Sequence, residues 1–274
     1  MREPSFSFVG ELGVWEFAGP GPTAILAHAT GFHARCWDRI VARLPRHWRI
    51  IALDFRGHGR SHRAVTRPTR WKQFGEDLAA VAHALNIQGA IGVGHSMGGH
   101  ATVLAAALRP ETYSSLLLLD PVILPLEYYG TTFMTEHYAR KRRNQWTSWE
   151  EMFERHQCRP PFDAWDRNVL RDYCRHSLDG TSLACDPDFE ASIYEACSDP
   201  ESNLHAELAT IACPVLVMRS KYDIGEGEFD MNWSPCDPKL AHRMPNARDQ
   251  KVDCSHYIPM EAPDLVAATI QTHH

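Results

Sequence analysis

The sequence predicts an α/β fold, a mostly parallel central sheet flanked by helices and interrupted once by a mainly helical insertion. Three observations carry this. Four short apolar runs, at 24–27, 50–53, 90–93 and 116–119, follow one another, and their unbroken apolar character suits strands buried on both faces. Helical periodicity lies between them, most clearly at 74–85, where Leu78, Val81, Ala82 and Leu85 share one face. The β pattern then returns at 214–218 and 250–254, after a long stretch of different character.

Taken in order, residues 5–17 alternate in polarity and are broken by Gly10 and Gly13, which reads as an antiparallel hairpin edging the sheet. The strand at 90–93 runs into a helix that includes 101–108. After Pro125 aromatic and charged residues dominate to about 208, with turn signals at Gly180, Pro187 and Pro200. The expected division is therefore a core of 1–124 and 209–274 with an insertion of 125–208. A helix over 262–272 closes the chain.

Composition narrows the function. With 28 basic and 34 acidic residues the formal charge is −6, so no broad positive field is available for nucleic acid or an anionic membrane. A small, neutral or weakly polar molecule is the expected partner. The opening MREPSFSFVGELGVWEF lacks the basic, apolar and small-residue regions of a signal peptide, and the apolar runs are far shorter than a membrane span. A soluble, cytoplasmic protein is the expectation. The eight cysteines include no CxxC pair, so reduced thiols are expected and no zinc site is. The closing His273 and His274 are assigned no role.

The chemistry centres on Gly94-His95-Ser96-Met97-Gly98, placed where a buried strand meets a helix. A serine in a sharp strand-to-helix turn needs glycines two residues away on each side, because neighbouring backbone approaches too closely for a Cβ. The alternative is an ordinary helix-capping serine. An alcohol needs a base to become a nucleophile at neutral pH, and His256, directly after the last predicted strand, is the candidate.

These motifs resemble those of the α/β-hydrolase family. Leu26-Ala27-His28-Ala29-Thr30-Gly31-Phe32 resembles its oxyanion loop, and Asp54 to Ser61 its following strand-end motif. Gly94 to Gly99 is similar to its nucleophile elbow, and Ser255-His256 with Pro259, Glu261 and Pro263 to its histidine loop. The resemblance implies the α/β-hydrolase fold and a nucleophile, acid and base in the chain order Ser96, Asp223, His256. Asp223, after the strand at 214–218, is the favoured acid, although Ser220 stands where the family commonly has glycine. Asp120, ending Leu116-Leu117-Leu118-Leu119-Asp120, is the alternative and Glu226 a remote third. The implied oxyanion donors are the N–H groups of Met97 and Phe32, with Thr30 also possible. The Asp54-Arg56-His58 cluster is expected to brace a loop.

The insertion is expected to act as a cap, with some of Tyr128, Tyr129, Phe133, Tyr138, Trp146, Trp149, Phe153, Phe162 and Trp165 lining an apolar pocket and the rest packing its helices. The basic run Arg140-Lys141-Arg142-Arg143 is expected to form a solvated helical face. The resulting expectation is a serine esterase or lactonase that needs no cofactor and no metal. The same residues are compatible with carbon-carbon bond hydrolase, thioesterase, amidase or perhydrolase activity, and with a receptor-like binding protein that turns nothing over.

Overall fold

The computed structural model describes residues 2–62, 70–132, 136–223 and 232–273; Phe133, Glu226 and His274 lie outside them. The chain opens with β1 (Ser5–Val9) and β2 (Leu12–Phe17), followed by β3 (Thr23–Ala27), α1 (Asp38–Val41), β4 (Arg49–Leu53), α2 (Lys72–Ala84), β5 (Ala90–His95), α3 (Met97–Leu108) and β6 (Tyr113–Leu119). Next come α4 (Trp149–His156), α5 (Arg167–His176), the short ribbon β7 (Leu178–Asp179) and β8 (Ser182–Leu183), α6 (Pro187–Glu195) and α7 (His205–Leu208). The chain then returns to the sheet through β9 (Val215–Arg219) and β10 (Ala247–Lys251) and ends in α8 (Ile258–Glu261) and α9 (Pro263–Thr272).

The main sheet has eight strands in the order β1-β2-β4-β3-β5-β6-β9-β10. Only the β1–β2 and β2–β4 pairings are antiparallel, so the predicted hairpin does sit at one edge. Helices cover both faces, which explains why the central strands read as continuous apolar runs. On one face Phe74 and Leu78 of α2 and Val103 and Leu104 of α3 pack on Ile25, Leu53 and Leu118. On the other, Ile40 and Val41 of α1 and Val266 and Ile270 of α9 pack on Leu26, Val93 and Leu119.

Two elements differ from the sequence reading. The last strand lies at Ala247–Lys251, three residues earlier than expected, because this edge strand is solvent-facing and carries no apolar pattern to mark it. The basic run forms a short 3-10 turn, Tyr138–Lys141, followed by extended chain, and three of its members are committed to ion pairs. Arg140 pairs with Asp188 and Glu195, Arg142 with Glu190, and Arg143 with Glu151.

The segment between β6 and β9 has its own buried cluster, in which Trp146, Met152, Phe153, Trp165, Leu170 and Tyr173 meet Phe32 and Tyr257 from the loops at the sheet's edge and Met260 of α8. A bidentate Arg39–Asp172 pair ties the same regions together at 2.6 and 3.0 Å. All eight cysteines are free thiols. Among the described residues no helix is long and apolar enough to cross a membrane.

Candidate active site

Register along the parallel strands places three residues in a row at one edge of the sheet. His95 pairs with Leu119, and Leu119 with Met218. The residues that follow extend the ladder: Ser96 N–H donates to Leu119 O at 3.0 Å, and Asp120 N–H to Met218 O at 2.7 Å. Ser96 and Asp120 are thus neighbours across adjacent strand ends, though 24 residues apart in the chain.

Ser96 adopts φ 56° and ψ −120°, a left-handed conformation that a serine holds only when its surroundings enforce it. The flanking glycines show how. A Cβ on Gly98 would lie 2.2 Å from Ala27 O, and one on Gly94 would lie 2.4 Å from Gly98 O. Both distances are far inside van der Waals contact, so the motif's spacing is a packing requirement.

His256 Nε2 stands 3.0 Å from Ser96 Oγ, and its Nδ1 is 2.6 Å from Asp120 Oδ2. Carboxylate, imidazole and hydroxyl therefore form one continuous buried chain, in which Nδ1–H donates to the carboxylate and Nε2 accepts the serine proton. His95 Nε2–H donates to His256 O at 2.9 Å, and His256 N–H donates to Asn232 O, so the histidine loop is fixed from both sides.

Asp120, and not Asp223, meets the imidazole. Asp120 is fully buried, and its second oxygen, Oδ1, accepts from Ser234 Oγ at 2.5 Å and Ser220 N–H at 3.1 Å. Asp223 lies half-exposed between Arg219, at 3.0 Å, and Lys251, at 2.5 Å. Partial burial opposes its ionisation, but these two cations outweigh that and hold its carboxyl below the usual aspartate range. Ser220, the departure from the family's glycine, earns its place here: its hydroxyl donates to Cys254 O while its amide cradles Asp120.

The loop after β3 is braced as expected. Asp54 accepts from Ala34 N–H, Trp15 Nε1–H and Arg60 N–H, at 2.7, 3.0 and 3.0 Å, and Arg56 forms a bidentate pair with Asp77. His58 donates from Nδ1 to Arg56 O and accepts Gly31 N–H at Nε2; burial pushes its pKa down to about 4, so it stays neutral. Phe32 N–H, the expected oxyanion donor, instead closes a turn onto Ala29 O at 3.2 Å. Met97 N–H occupies the first position of α3, where no intrahelical carbonyl is available to it.

A cavity of about 310 Å³ lies beside this site: Phe32 and Tyr257, the residue after His256, stand in its wall, whereas Ser96 and His256 themselves do not line it. Tyr138, Trp146, Phe162 and Trp165 of the expected aromatics line it, whereas Trp149 and Phe153 pack with the buried cluster beneath and Tyr129 hydrogen-bonds Leu124 N–H. Its polar wall is a network that sequence patterning did not mark: Arg142 pairs with Glu190 and donates to Tyr173 Oη at 2.7 Å. Burial raises the Glu190 pKa, opposed by Arg142. Gly31, with φ 77°, would place a Cβ 2.4 Å from Glu190 Oε1, so this carboxylate sits directly on the loop after β3.

Fold, elbow and histidine loop together define a hydrolase architecture. The sequence pattern of the Alpha/beta hydrolase family matches residues 24–269, and the chain belongs to that family. It is similar to a putative carbamate hydrolase of Caulobacter sp. (strain K31), 27% identical over 90% of this chain and 88% of that one. It is also similar to lipase LipV of Mycobacterium tuberculosis (strain ATCC 25618 / H37Rv), 36% identical over 41% of this chain; that match spans 42% of the lipase's length. Among solved structures, a thioesterase domain from the curacin biosynthetic pathway superposes with a TM-score of 0.76 at 16% identity, covering 98% of this chain and 99% of that one.

Proposed function

We propose that this chain is a serine hydrolase that cleaves a carboxylic ester or lactone of a small substrate with a largely apolar body, through an acyl-Ser96 intermediate. The observation that carries the reading is the unbroken Ser96–His256–Asp120 hydrogen-bond chain, at 3.0 and 2.6 Å. His256 Nε2 takes the Ser96 proton as Oγ attacks the carbonyl carbon, and the oxygen becomes an oxyanion. Met97 N–H is one donor to it; Thr30 N–H is assigned as the second, because Gly31 N–H and Phe32 N–H already serve His58 and Ala29. Collapse breaks the bond to the alkoxy oxygen, which leaves with the proton from His256. Water, deprotonated by the same imidazole, then attacks the acyl-serine and releases the acid. Asp120 holds the imidazole tautomer through Nδ1–H and stabilises the imidazole cation.

The test is turnover of p-nitrophenyl esters beside covalent labelling by a fluorophosphonate. Labelling confined to Ser96 and lost in Ser96→Ala supports the reading; a folded protein that neither labels nor turns over would falsify it. Likeness to the Caulobacter protein along most of its length favours carbamate cleavage on the same residues as the second reading.

A further inference from the structure

Four arginines, Arg142, Arg143, Arg155 and Arg159, line the cavity beside Phe32 and Tyr257, and among the described residues Glu190 is the one acidic side chain in its wall. In a chain of formal charge −6 such a concentration of positive charge runs against the average. Two of the four are neutralised, Arg142 by Glu190 and Arg143 by Glu151. Arg155 and Arg159, both exposed at the wall, have no ion pair among the described residues. They are one helical turn apart at the end of α4 and just beyond it, and the helix's carboxyl end favours cations there.

The rim is built as well as charged. His156, between the two arginines, stacks on Phe162 at 4.3 Å between ring centroids with planes 3° apart, and lies edge-on to Trp146 at 5.3 Å. Burial first, then the fields of Arg142, Arg155 and Arg159, lower its pKa to about 4. The imidazole therefore remains neutral beside a cationic rim.

We propose that Arg155 and Arg159 form a subsite for an anionic group of the substrate, of the carboxylate class, while its apolar body lies along the cavity's aromatic wall and its reacting carbonyl points toward Ser96. Guanidinium groups bind carboxylates through paired, charge-assisted hydrogen bonds, and neither group has an acid to displace among the described residues. The inference deepens the proposed hydrolase function and rests on it for the placement of the carbonyl. It does not rest on it for the binding of the anion.

Two measurements separate the two ideas. The first compares kcat/KM for mono-p-nitrophenyl succinate, glutarate and adipate with that for neutral p-nitrophenyl esters of the same acyl length. The expected preference for the best anionic ester is about tenfold or more, the scale of one charge-assisted contact. That ratio should collapse toward one in Arg155→Gln/Arg159→Gln, persist in part in Arg155→Lys/Arg159→Lys, and shrink with added salt. A wild-type ratio of one or less overturns the subsite while leaving ester hydrolysis intact. The second measurement is calorimetric titration of Ser96→Ala with glutarate and with glutaramide, which needs no turnover. Tighter binding of glutarate, lost on adding the double Gln substitution to a protein with an unchanged melting curve, supports the subsite even if no ester is cleaved. Equal or absent binding of the two, or binding unaffected by the double substitution, overturns it.

Discussion

Ser234 Oγ donates to Asp120 Oδ1 at 2.5 Å, on the carboxylate oxygen opposite the one that receives His256. Asp120 is thereby held by three donors from three separate loops, which fixes the direction in which Oδ2 faces the imidazole. Asp120→Asn should lower kcat/KM by about 10³–10⁴-fold, because an amide presents the wrong partner to Nδ1–H and frees the imidazole to take the other tautomer. Asp223→Asn should change it less than about twofold, since that carboxylate serves a surface ion-pair cluster. Equal losses in the two variants, measured on proteins of matched melting temperature, would contradict the assignment.

The elbow's glycines give a stability prediction. Gly98→Ala would place a methyl group 2.2 Å from Ala27 O and 2.6 Å from His28 O, both backbone atoms of a central strand end. Neither can move without breaking the ladder between β3 and its neighbours, so overpacking of about 3 kcal/mol is expected. Urea denaturation should show this as a lower midpoint with little change in slope.

What was legible in the sequence follows from what has a short-range signature. Buried parallel strands print as apolar runs, and the elbow prints as glycines at fixed offsets from Ser96, so both were readable. The acid was harder, because its choice depends on strand register. Asp120 follows β6 immediately and stays in line with Ser96. Asp223 lies four residues past the end of β9, by which point Tyr222 N–H has turned back onto Ser220 Oγ and the carboxylate has swung out to Arg219 and Lys251. The placement of the Phe32 N–H is hidden for a similar reason: the turn in which it donates to Ala29 O closes within the loop and leaves no mark in composition. The Arg142–Glu190 pair spans 48 residues, and the packing of α6 against the Tyr138–Lys141 turn brings its members together.

That pair should show strong coupling. Glu190→Gln leaves the part-buried Arg142 without its counter-charge, and Arg142→Met leaves a carboxylate buried against Gly31. Each single substitution should cost about 2–4 kcal/mol, whereas the double variant Arg142→Met/Glu190→Gln should cost less than their sum. A double-mutant cycle in denaturant measures the difference. Strict additivity would show that the two side chains act independently and that solvent screens the pair.

Folding stability should fall in mild acid, and buried histidines set the direction. His58 and His100 both have pKa values lowered by burial from 6.5 to about 4. His58 accepts Gly31 N–H at Nε2, and His100 donates from Nε2 to Ser202 O. The unfolded chain binds protons at these groups below about pH 6.5, whereas the folded protein resists doing so until about pH 4, so stability rises with pH across that window. Integrating between the two pKa values gives a loss of about 2 kcal/mol per histidine on going from pH 8 to pH 5, if each titrates independently. His58→Gln keeps an acceptor near Gly31 N–H but cannot be protonated. It should lower stability at pH 8 and flatten the decline between pH 6.5 and 4. Denaturant midpoints followed across that range check the sign, and a wild-type stability that stays level or rises toward pH 4.5 would show that these imidazoles are already protonated in the folded protein.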